Sequence, residues 1–166
     1  SQDNTITLLL PKYFCESALI ILRIFKKVNI IYYNIDEDLL TNVQEIKSIL
    51  INNKIDIFLF VNYFGLKNNF QEIINECKKN EVWVIEDATH NLKLNKNNLN
   101  RADFIIYSPY KFLSIPNGAI LVFNKNGPNN INLSKIYYIN DTLNWYKICI
   151  KISREYNFKY HSNISL

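Results

Sequence analysis

The sequence predicts an α/β fold, a mainly parallel sheet with helices on both faces. Two observations carry this expectation. Short β-rich runs alternate with longer segments of helical period along most of the chain, which is the order of βαβ units. The runs are also continuously apolar rather than alternating, as strands covered on both faces should be.

In chain order, strands are expected at 5–10, 29–35, 55–62, 82–86, 103–107 and 118–123. Between them, 16–27 places Ala18, Leu19, Leu22, Ile24 and Phe25 on a broad apolar face. The segments 42–52 and 68–79 carry Val43, Ile46, Ile49 and Leu50, then Phe70, Ile73, Ile74 and Cys77, at helical spacing. These are helices that pack on the sheet. Residues 91–101, NLKLNKNNLNR, are polar and asparagine-rich, a crossover of about the length that parallel pairing needs. A second polar break, NKNGPNN at 124–130, precedes a mostly helical, aromatic segment at 132–155. The domain organisation expected is therefore 1–130 as an α/β unit and 131–166 as a helical connector.

Bulk properties narrow the function. With 48% hydrophobic and 20% charged residues, the 166-residue chain is too apolar to be disordered and long enough for one core. The net charge of +4 is dispersed, and the pairs Lys26-Lys27 and Lys78-Lys79 suit helix ends, so no nucleic-acid partner is expected. Cys15, Cys77 and Cys149 are odd in number, far apart and form no CxxC. That argues for reduced thiols in a cytoplasm and against zinc or a disulfide framework. No apolar run approaches the ~20 residues of a membrane span, and the start SQDNTITLLLPK has no signal-peptide pattern. Neither a GxGxxG nor a P-loop is present to support a nucleotide-binding domain.

In open α/β sheets ligands sit at the carboxyl ends of the strands. Asp87 and His90 fall there after one strand, and Ser108 and Lys111 after the next, which should make them neighbours. Glu86 beside Asp87 reads as structural, and Cys15 as a small buried hydrophobe. A lysine near a fixed carboxylate suits pyridoxal phosphate: the amine forms an imine with the aldehyde and moves protons, while the acid keeps the pyridine nitrogen protonated.

The run VIEDATH, residues 84–90, resembles the EDxxH or EDxxQ strand of the DegT/DnrJ/StrS-type sugar aminotransferase family, which belongs to the fold-type-I pyridoxal-phosphate enzymes. ADFIIYSPYKFLSIPNGAILV, residues 102–122, resembles that family's lysine segment. LLLPKYFCESAL, NIIYYNID and VNYFG are similar to its earlier segments, in the right order over about residues 6–123. The resemblance implies the large domain of a pyridoxal-phosphate-dependent transferase. It implies Lys111 as the Schiff-base lysine, Asp87 as the partner of the pyridine nitrogen, His90 near the ring, and Ser108 as a phosphate ligand. One of Tyr13, Phe14 or Cys15 would stack on the cofactor. The implied reaction takes an amino group from an amino acid to a keto, nucleotide-linked sugar, in a homodimer with sites at the subunit boundary.

Family members also carry a Gly-Ser/Thr phosphate-binding helix start upstream and a small C-terminal domain. With SQDN alone before the first strand, the fold is expected to be incomplete at both ends, with 131–166 leading toward the small domain. The alternative is a truncated, non-catalytic α/β module derived from such an enzyme.

Overall fold

The computed structural model describes residues 5–24, 27–66, 68, 70–91, 101–113 and 118–123. Among these, β1 (Ile6–Pro11), β2 (Val28–Tyr33), β3 (Ile57–Val61), β4 (Trp83–Asp87), β5 (Phe104–Tyr107) and β6 (Ile120–Phe123) form a sheet in the order β2-β1-β3-β4-β5-β6. All neighbours run parallel except β6, which returns antiparallel beside β5. The mainly parallel α/β fold expected from the sequence is the one found. The parallel pairing of β4 with β5 is as expected too, although most of the crossover, 92–100, lies outside the described residues. So do 124–130 and the connector at 131–166.

Alternation along the strands divides the core in two. Leu9, Phe58, Phe60, Val84 and Ile105 face α2 (Val43–Asn52) and α3 (Gln71–Lys79), which contribute Ile46, Leu50, Ile73, Ile74 and Cys77. Leu8, Leu10, Leu59 and Val61 face the other way, onto Leu19 of α1 (Glu16–Ile24). Each fully buried aliphatic or phenylalanine side chain contributes roughly 1.5–3 kcal/mol. A register slip by one residue in β3 would exchange the two sets.

Element boundaries shift where side chains compete with the backbone. The helix expected from 68 begins at Gln71 because Asn68 is engaged elsewhere: its side chain donates to the Leu39 carbonyl at 3.1 Å and accepts from the Thr41 amide at 3.3 Å. The second strand stops at Tyr33 rather than 35, since the amide and side chain of Asn34 both donate to Glu45 Oε1, at 3.2 and 2.7 Å. Asn42, expected as the first residue of the second helix, is its N-cap, accepting from the amides of Gln44 and Glu45. Such a cap contributes about 1 kcal/mol.

The strand order reverses between β1 and β3. From β1 the chain moves outward to β2, whereas β3, β4 and β5 follow on the other side. A crevice opens at the carboxyl ends of the two strands flanking such a reversal, and ligands bind there in open α/β sheets.

Candidate active site

A cavity of about 210 Å³ occupies that position. Its walls come from successive strand ends: Tyr13, Phe14 and Cys15 after β1, Val61 and Tyr63 at β3, Asp87, Thr89 and His90 at β4, and Lys111 after β5.

Asp87 is the last residue of β4, paired with Val61 on one side and Ile106 on the other. Val84 belongs to the core under α2 and α3, so alternation sends Ile85 and Asp87 to the opposite face, the side of α1. One carboxylate oxygen, Oδ1, accepts from the Thr89 amide at 2.9 Å. This is an Asx-type turn, in which an aspartate bonds its own backbone two residues on. Lys111 ends a short 3-10 turn, Pro109–Lys111, that starts as soon as β5 stops. Its Nζ donates to Thr89 Oγ1 at 3.0 Å. Thr89 therefore touches both the acid and the amine.

His90 follows with its ring stacked on Phe64, centroids 4.8 Å apart and planes 13° from parallel. Burial holds its pKa below the ordinary 6.5, and the charge of Lys111 adds to this while Asp87 opposes it. Its Nδ1 is buried and finds no hydrogen-bond partner among the described residues. Tyr63 also lines the cavity, its ring 6.3 Å from that of His90 and its hydroxyl donating to the Tyr13 carbonyl. Burial, then the negative charge of Asp87, pushes this phenol far above its ordinary 10, so it remains a proton donor.

One expectation changes. Cys15 is exposed and lines the cavity instead of packing as a buried hydrophobe. Its thiol shares a 3.0 Å hydrogen bond with the Ser17 hydroxyl. That bond lowers the thiol pKa, with help from backbone amides at the start of α1 and from Lys111, and against burial. Ser108 is buried at the head of the 3-10 turn, its carbonyl accepting from the Lys111 amide at 3.1 Å, and it does not line the cavity. Tyr13, Phe14 and Cys15 all face the cavity, with Tyr13 64% exposed and its ring 5.7 Å from that of Tyr63.

Sequence reasoning missed Thr89 and Tyr63. The signal for Thr89 was available in Asp-x-Thr, since a strand-end aspartate commonly caps the amide two positions later. Tyr63 had none, because its place depends on the turn Tyr63–Gly65, where Phe64 and Gly65 both take positive φ.

The donor set fits pyridoxal phosphate. A lysine amine, a rigidly held carboxylate, an unpartnered imidazole nitrogen and an exposed aromatic ring converge on one cavity, and one oxygen of Asp87 already has its backbone partner. Sheet order, helix placement and cavity position together define the fold of the fold-type-I pyridoxal-phosphate-dependent enzymes.

A model of the DegT/DnrJ/EryC1/StrS aminotransferase family matches residues 13–127. The chain belongs to that family. No match is found among curated proteins. Among solved structures, it is similar to the glutamate decarboxylase domain of diaminobutyrate-pyruvate transaminase and L-2,4-diaminobutyrate decarboxylase from Vibrio parahaemolyticus, at 13% identity and a TM-score of 0.60 over 74% of this chain and 31% of that one. It is likewise similar to mouse CSAD, at 15% identity and a TM-score of 0.60 over 81% and 33%. The histidinol-phosphate aminotransferase from Clostridium acetobutylicum gives 17% identity and a TM-score of 0.58 over 90% and 53%. At these identities the likeness is one of fold. The chain spans about a third of the first two structures and about half of the third.

Proposed function

We propose that this chain is the central part of a pyridoxal-phosphate-dependent aminotransferase large domain, acting on an amino-acid donor and a keto, nucleotide-linked sugar. The observation that carries the reading is the convergence of Asp87 and Lys111 on one cavity, bridged by Thr89. When bound, the cofactor supplies an electron sink for the bond beside the substrate nitrogen.

The chain's own residues have separate tasks. The Lys111 amine would be the covalent attachment point and would carry protons to and from the substrate carbon. Asp87, held by its strand and by the Thr89 amide, would keep a proton on the ring nitrogen. His90 and Tyr13, which line the same cavity, would contact the ring. Ser108 would act on the phosphate only indirectly, through the 3-10 turn it heads, since its own side chain is buried and does not line the cavity. Tyr13, Phe64, Tyr110, Phe112 and Leu113 are exposed at the strand mouths, and this apolar rim supports a homodimer with its sites at the subunit boundary. Among the described residues no helix is long and apolar enough to cross a membrane.

The test is covalent trapping. Borohydride added to protein incubated with pyridoxal phosphate should fix the cofactor to the peptide containing Lys111, and Lys111→Ala should abolish the label. No fixation in the unaltered chain refutes the reading, and a label surviving the substitution moves the attachment to another lysine.

A further inference from the structure

We infer that Thr89 is a positioning residue, which holds the Lys111 amine at the cavity before the cofactor arrives while leaving Asp87 free for its own task. The inference rests on the aminotransferase reading above and deepens it.

The geometry is a two-sided tie. Thr89 Oγ1 accepts from Lys111 Nζ at 3.0 Å, and the Thr89 amide donates to Asp87 Oδ1 at 2.9 Å. Among the described residues, Lys111 makes no ion pair with Asp87, although both line the same cavity. That matters chemically. A direct lysine–aspartate pair would favour the charged amine, which has no lone pair to attack an aldehyde, and would occupy the carboxylate needed at the ring nitrogen. The neutral Thr89 hydroxyl instead holds the amine by one modest hydrogen bond that the incoming aldehyde can displace.

Threonine suits this role better than its neighbours in shape. Its branched Cβ restricts χ1 and so fixes the direction of the hydroxyl, and the Asp87 bond fixes the backbone beneath it. Lysine has a flexible four-carbon stem whose freedom must be lost before its nitrogen can react at a fixed place. Thr89 removes part of that freedom in advance.

The experiment separates holding from merely folding. In the full chain without cofactor, acylation of Lys111 by acetic anhydride is followed by mass spectrometry of its peptide. Thr89→Val keeps the shape and removes the acceptor, so the released amine should acylate about threefold faster, the ratio for one weak hydrogen bond. With pyridoxal phosphate present, the same variant should be fixed by borohydride several-fold more slowly, because its amine is no longer held at the cavity. Thr89→Ser should restore most of both rates. A fold defect would free the amine and spoil the cavity together, so urea midpoints are compared as well: Thr89→Val should keep the midpoint of the unaltered chain, and a lowered midpoint that accounts for both rate changes overturns the inference.

Equal rates in all three proteins, or a joint change in one direction, overturn the inference. If Thr89→Val does not fold, Thr89→Ala carries the same expectations. Faster acylation with no cofactor fixation in any protein, the unaltered chain included, supports the tie between Thr89 and Lys111 and refutes the cofactor reading. Normal fixation with unchanged rates leaves that reading standing and removes Thr89 from it.

Discussion

Glu86 and Asp87 are adjacent acids in one strand, yet they occupy opposite faces of the sheet and different chemistries. Glu86 is 2% exposed. Its Oε1 accepts from Arg101 at 2.8 Å and from the Asn62 side chain at 3.0 Å, while the Arg101 guanidinium lies 5.6 Å from the centre of the Phe60 ring. Asp87 faces the α1 side, bonds a backbone amide and borders a cavity. The first charge is paired inside the protein through Oε1, its buried Oε2 having no partner among the described residues; the second is held by a backbone amide at the edge of a cavity. A charge kept for a ligand needs a firm backbone and an incomplete set of partners, and the strand end provides both.

The sharpest way to break this contrast is to truncate each acid. Glu86→Ala leaves a mostly buried guanidinium without its carboxylate and should destabilise the protein by about 3 kcal/mol, the lower end for a broken buried pair. Adding Arg101→Met should recover much of that loss, because an apolar side chain has no charge to strand. Asp87→Asn keeps an oxygen for the Thr89 amide and should cost less than about 1 kcal/mol. It should nonetheless weaken cofactor retention strongly. Urea midpoints measure the stabilities, and pyridoxal phosphate retained on gel filtration measures the site. Equal losses of stability for the two acids would erase the distinction.

A smaller effect is expected at Gly65, which closes the turn that places Tyr63 at the cavity. Its φ is +76°, and a Cβ there would meet Asn91 Oδ1 at 3.0 Å. Gly65→Ala should cost about 1 kcal/mol from the left-handed backbone, with Asn91 shifting to relieve the contact. A urea midpoint equal to that of the unaltered chain would show that the turn can relax into another conformation.

The fold was legible because its signals are redundant. Buried strands such as 58–61 and 82–85 are apolar throughout, and among the described residues the amphipathic helices α1, α2 and α3 lie between successive strands, so competing bonds at Asn34 and Asn68 moved boundaries without changing the order. The nearness of Asp87 and Lys111 was legible because they follow the carboxyl ends of adjacent parallel strands, and they share the cavity. Cys15 was misjudged because burial is a property of the whole fold: its hydrophobic character says nothing of the open crevice beside it. Neither the Glu86–Arg101 pair nor the Tyr63 hydrogen bond could be read locally, since each joins residues that only the sheet brings together.

The finest test of the contrast is electrostatic and falls on His90. Burial and Lys111 favour its neutral form, so its pKa in the folded state lies below the ordinary 6.5 of the unfolded chain. Between those two values the unfolded state binds more protons than the folded one, and stability rises with pH wherever that holds. The His90 contribution is therefore complete above about pH 6.5 and declines as the pH falls from there toward the depressed value. Replacing the ring by phenylalanine keeps a surface for stacking on Phe64 and removes the titration. Urea midpoints of the unaltered chain should fall more steeply below pH 6.5 than those of His90→Phe, with the two curves parallel above it. Lys111→Met, which removes the neighbouring positive charge, should reduce the extra slope without abolishing it, because burial is the larger cause. An identical pH dependence in the unaltered chain and His90→Phe would mean that the imidazole is as free to protonate in the folded state as in water. His90 would then lie on the open side of the Asp87 cavity, and its unpartnered Nδ1 would no longer mark a site prepared for a ligand.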